Sequence, residues 1–169
     1  CDWSSDVCSS DLLTYLFVAL IEETIFRGYV LTNLQEKNTA FWAATLSSIL
    51  FGLAHFRNDH FTWIGCATIA FSGYLMAIMA LKSGSISGAV GFHWSWNFVQ
   101  GSILGFAVSG HRETGVFQAN RMARDVLTGG KFGAEGSILV ALFTFSLAVY
   151  FSSKAIYLNR QGPNSASLR

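Results

Sequence analysis

LLTYLFVALIEETIFRGYVLTNL, residues Leu12–Leu34, decides how the rest of the chain reads. Its length and apolar character suit a helix crossing the hydrocarbon core of a bilayer, which takes about 20 mostly apolar residues. Yet Glu22, Glu23 and Arg27 sit in its middle. Working outward, four more windows have the same character: Ala40–Phe56, Phe61–Leu81, Ile86–Ser109 and Ser137–Ser153. The gaps between the first four are as short as QEKNT, RNDH and KSGS, which forces neighbouring helices to run antiparallel. The windows lack the period-2 alternation of barrel strands. The expected fold is all-α, a polytopic transmembrane helical bundle of about five spans.

Composition agrees. Of 169 residues, 51% are apolar, 15% aromatic and 12% charged, about half the charged share of a soluble domain. Mean hydropathy is +0.40. A net charge of +1 excludes a nucleic-acid binder working by bulk charge. The polar leader CDWSSDVCSSD, residues 1–11, fits neither a signal peptide nor a span and reads as a non-native or disordered leader. Its Cys1 and Cys8 have no second pair elsewhere, and Cys66 reads as a small buried hydrophobe. Residues 12–158 form the expected domain, and 159–169 a disordered tail. Between the fourth and fifth windows, residues 111–136 carry Arg112, Arg121, Arg124 and Lys131 and the run LTGGKFGAEG. This stretch reads as a solvent loop, with a re-entrant segment as the alternative. The basic residues divide evenly between the two faces, so they set no orientation.

The chemistry concentrates inside the windows. Of 11 basic and 10 acidic residues, only Glu22, Glu23 and Arg27 fall within them. A charge at mid-bilayer costs about 2.5–3.5 kcal/mol on the insertion scale. Glu23 and Arg27 are four apart and can pair on one helical face. Glu22 points about 100° away and needs another polar neighbour. Two other windows offer one. His55 closes FGLAH on the second, and His93 and Asn97 share a face of the fourth. Any one of these residues alone reads as interhelical glue. Together they exceed what gluing requires, because Ser, Thr or Asn can hold helices without burying charge. Convergence on one polar pocket is the economical arrangement.

A buried carboxylate with an imidazole can move protons between water and a leaving group. A second imidazole with a side-chain amide can stabilise an oxyanion. That inventory suits amide hydrolysis without a covalent intermediate. Ser95 follows no nucleophile-elbow pattern, and Cys66 lacks a neighbouring base. Glu22, His55 and His93 also form the two-His, one-carboxylate set of a catalytic zinc site, although no H-E-x-x-H is present. A proton or ion relay is a further reading of the same groups. The GSILG run, residues 101–105, reads as a close helix contact.

EETIFR (Glu22–Arg27), FGLAH (Phe51–His55) and HWSWN (His93–Asn97) match in order the E-E-x-x-x-R, F-x-x-x-H and H-x-x-x-N motifs of one family. The chain thus resembles the CPBP family of intramembrane endopeptidases, also called CAAX protease or Abi, which includes the type II CAAX prenyl proteases. The resemblance covers about residues 12–106, and LTGGKFGAEGS is similar to bacterial members. It implies an intramembrane protease acting on a peptide, lipoprotein or prenyl-peptide substrate within the lipid bilayer, in a bacterial cell membrane. By that similarity Glu22 activates water, His55 assists, and His93 and Asn97 stabilise the oxyanion. Glu23 and Arg27 shape the pocket through their ion pair. Catalysis by glutamate alone and catalysis through zinc, with Glu22, His55 and His93 as ligands, both stay open. Family members carry further helices before the E-E motif. The alternative function is a non-catalytic membrane protein of the same fold, in bacteriocin immunity or as a partner scaffold.

Overall fold

The apolar windows are largely helical, the fourth only as far as Ile103, and two helices open on a capping threonine. A computed structural model describes residues 5–111, 115–117 and 125–161. Cys1, Arg112, Arg121, Arg124 and residues 162–169 lie outside the described residues. Helix α1 spans Ser5–Glu23, a π-helical stretch covers Thr24–Val30, and α2 runs over Leu31–Lys37. Residues 5–11 therefore continue the same helix as the first window, and Asp11 accepts a hydrogen bond from Ser102 at 2.9 Å.

Helix α3, Ala40–Ala54, opens with the Thr39 hydroxyl accepting from the Trp42 N–H, which satisfies one of the orphan donors of a helix start. Helix α4, Trp63–Ser83, opens the same way on Thr62 and ends on Gly84 at φ 66°. A left-handed closing residue favours glycine, which has no Cβ to clash. Helix α5, Ser87–Phe98, runs into a second π-helical stretch, Val99–Ile103. The short α6, Asp125–Thr128, a 3-10 turn at Ala134–Gly136, and α7, Ile138–Gln161, complete the order. Among the described residues there is no strand, only an isolated bridge between Val108 and His111.

Helix α4 is the central post, packed most extensively against α3 and also against α7 and α5, while α1 lies on α5. Small residues permit the close approach. Ala43, Ala44, Ala77 and Ala80 form one cluster with Leu31 and Ile78, and Phe51, Ile69, Met76, Ala89 and Phe132 form a second. Outward faces stay apolar: Phe17, Ile21, Ile49, Leu53, Leu142 and Phe143 are all exposed. Among the described residues one helix, Trp63–Ser83, is long and apolar enough by itself to cross a membrane. At 21 residues it is about 31 Å long.

Residues 129–137 depart from a solvent loop. Phe132 is 1% exposed and Glu135 6%, and Phe132 lies against Gly65 of α4. The turn folds inward because Gly133, at φ 106°, lets the chain pass the Ala107 carbonyl where a Cβ would overlap it.

Candidate active site

Glu22 and Glu23 end the regular part of α1, and the π-helical stretch begins one residue later. There the Leu31 N–H bonds to the Phe26 carbonyl, and the Ser47 hydroxyl of α3 donates to the same oxygen at 2.9 Å. Such i→i+5 turns are rare and occur frequently at functional sites. The stretch still lets Arg27 reach back, so its Nη1 donates to Glu23 Oε1 at 2.9 Å with both side chains fully buried. Arg27 Nη2 donates to the Gly73 carbonyl of α4 at 2.9 Å, and the guanidinium lies 4.2 Å from the Phe51 ring centroid. Phe51 also meets the rings of His55 and His93 edge-on. One aromatic side chain thus spaces the three basic groups.

The two imidazoles are held alike. His55 Nδ1 lies 2.9 Å from the Phe51 carbonyl, which can only accept, so that nitrogen carries the proton and donates. His93 Nδ1 lies 2.9 Å from Glu23 Oε1 and donates to it in the same way. In each neutral ring Nε2 is therefore the bare nitrogen. Both bare nitrogens face Glu22 Oε2, at 3.9 Å from His55 and 3.8 Å from His93. Glu22 Oε2 is buried and accepts no hydrogen bond. Three lone-pair groups thus converge on a gap with no proton between them. A water placed there could donate to two of the three.

The structure brings together every residue of the sequence-derived set: Glu22, Glu23, Arg27, His55, His93 and Asn97. Glu22, His55, His93 and Asn97 line one open cavity of about 380 Å³. Asn97 is 4% exposed, and its amide makes no hydrogen bond among the described residues. Sequence reasoning missed other parts of the wall. Tyr15 stands seven residues before Glu22 on the same helical face and was findable by that spacing. Asn58, Val108, Ser109 and His111 come from turns, where no periodicity marks them. Glu135 reaches the site only through the inward fold of its loop.

The donor set has the chemistry of a divalent-metal site, including an acceptor behind each imidazole. Its spacing is wider than a metal needs, since ligands about 2.0–2.2 Å from zinc stand about 3.3 Å apart in a tetrahedron. Among the described residues no group of three acidic, His or Cys side chains is arranged to hold a metal ion.

Compared with known families, residues 6–99 match the family model described as type II CAAX prenyl endopeptidase Rce1-like. The match covers the Glu22–Arg27, Phe51–His55 and His93–Asn97 motifs. No curated protein and no solved structure matches the chain.

Proposed function

Because the chain belongs to the type II CAAX prenyl endopeptidase Rce1-like family of membrane-integral proteases, we propose that it hydrolyses a peptide bond inside the bilayer with a water activated by Glu22. The observation that carries this reading is the unsatisfied Glu22 oxygen facing two bare imidazole nitrogens across a gap in an open cavity. A water in that gap gives one proton to Glu22 as its oxygen attacks the substrate carbonyl. The free Asn97 amide donates to the resulting oxyanion. His93 would join it only after taking up a proton from solvent at Nε2, its Nδ1 being held by Glu23. The proton then passes from Glu22, with His55 within reach, to the leaving nitrogen as the C–N bond breaks. A carboxylic acid and an amine leave.

The substrate we propose is a membrane-held peptide, lipoprotein or prenyl-peptide chain. We also propose that all five helical segments span the bilayer. Besides α4, the continuous run from α1 through α2 is long enough, and α3 and α7 turn apolar side chains outward. The likeness of residues 127–137 to bacterial members supports a bacterial cell membrane.

The test is a mass-spectrometric survey of peptide termini in membranes from cells making the wild type or Glu22→Gln at equal level. A positioned general base contributes about 10²–10⁴-fold, so termini produced by the wild type should vanish in Glu22→Gln. Equal sets of termini from two folded proteins would overturn the reading in favour of a binding role. Loss of activity on chelation, restored by zinc, would replace the water held by side chains alone with a metal-held one.

A further inference from the structure

The turn that follows α5 forms part of the cavity wall, and a side chain outside the three motifs holds it there. Val108, Ser109 and His111 face the cavity that contains Glu22 and His55. Residues 106–111 form a strap whose own backbone groups are engaged. Val108 and His111 exchange N–H···O bonds of 3.0 and 2.9 Å, and the Gly110 N–H donates to the Phe132 carbonyl at 2.9 Å. Ser109 sits at φ 47°, a left-handed conformation that non-glycine residues seldom adopt without support. The support is Glu135, whose Oε2 accepts from both the Ser109 N–H, at 2.9 Å, and the Ser109 hydroxyl, at 2.8 Å. From the other side the Asn58 amide, three residues beyond His55, donates to the Ser109 carbonyl at 3.0 Å. Gln100 ties the strap's Ala107 carbonyl to the end of α5 at 2.7 Å.

Burying a carboxyl is costly, and Glu135 has no cation partner among the described residues. Packing alone would be better served by an apolar residue beside Phe132. We infer that Glu135 is a positioning residue: it fixes the strap of residues 106–111 as a wall of the active cavity and so sets which side chain fits beside the scissile bond. The strap's N–H groups are used internally, so it acts by shape and offers the substrate no backbone donors at Val108, Ser109, Gly110 or His111. The inference deepens the protease reading, and only its kinetic arm rests on that reading.

The experiment uses the full chain in lipid nanodiscs and compares wild type, Glu135→Ala and Glu135→Gln. Amide hydrogen exchange reads the strap directly. Removing two hydrogen bonds to one carboxyl should speed exchange at residues 106–111 by at least about tenfold, with α3 and α4 unchanged. Glu135→Gln keeps an acceptor oxygen and should restore protection. An internally quenched farnesylated CAAX peptide is the kinetic probe. With it, Glu135→Ala should raise KM about tenfold with kcat within about twofold, the signature of lost positioning rather than lost chemistry. Unchanged exchange at 106–111, or acceleration spread equally through α3 and α4, would overturn the inference even if the peptide is cleaved. If the wild type shows no Glu22-dependent cleavage, that probe counts against the protease reading, and the exchange result alone decides the strap. Should Glu135→Ala fail to fold, Ser109→Ala removes one of the two bonds and should show the same local acceleration, about threefold.

Discussion

Glu23 is the residue on which the site turns. Its Oε1 takes a hydrogen bond from Arg27 and another from His93, joining the ion pair of α1 to the imidazole of α5. The i,i+4 spacing made the pairing with Arg27 legible in the sequence. The bond to His93 was not legible, because 70 residues separate the partners and only packing joins them. Removing one member of a buried pair strands the other, which costs about 3–5 kcal/mol. Arg27→Met should therefore destabilise the protein by about that much, measured by reversible unfolding in mixed micelles. The double variant Glu23→Gln, Arg27→Met should recover a substantial part, because no buried charge is left unpaired. An equal loss in both would show that packing of the Arg27 side chain, rather than charge, holds the site.

At the level of elements, the π-helical stretch of Thr24–Val30 meets α4 at Gly73. Gly73 accepts from Arg27, and a Cβ there would sit 2.9 Å from Nη2 and 3.0 Å from the Phe51 ring. Gly73→Val should push Arg27 and Phe51 aside together. We expect a loss of about 1–3 kcal/mol, the usual cost of overpacking, with cleavage falling more steeply than stability because His55 and His93 both lean on Phe51. Paired thermal unfolding and activity assays check this, and a fall in stability alone would separate Phe51 from the chemistry. The π-helical stretch had no signal in the sequence. An i→i+5 bond consumes the same backbone groups as an i→i+4 bond and leaves the side-chain pattern almost unchanged over seven residues.

For the whole molecule, the five proposed spans would alternate in direction, so their turns would divide into two sets. Asn38 and Ser85 would then lie on one side of the membrane, and His60 and Lys131 on the other. With Cys1, Cys8 and Cys66 replaced by Ser, single cysteines at these four positions should be labelled by an impermeant maleimide in two pairs, from opposite sides of sealed vesicles. A pattern pairing Asn38 with His60 would contradict five spans. Among the described residues, only α4 meets the length and hydropathy expected of a span taken alone. Helices α1 and α5 run into π-helical stretches, and α3 has 15 residues, about 22 Å. The bundle shares the task of burying polar groups among its helices, so individual helices need not look like isolated spans.

The helical class, the five segments and the six motif residues were all determined by the sequence itself, because apolar length and i,i+4 spacing are local properties of a chain. Placement of charge told the rest of that story: three ionisable residues inside an apolar layer require partners, and His55 and His93 were the only imidazoles in the other windows. Tertiary structure alone decided which atoms meet. It turned both Nε2 atoms toward Glu22 by engaging each Nδ1 elsewhere, and it brought Glu135 inward to hold Ser109. Those outcomes depend on backbone carbonyls, left-handed turns and contacts between distant segments, which leave no periodic trace in the residues that make them.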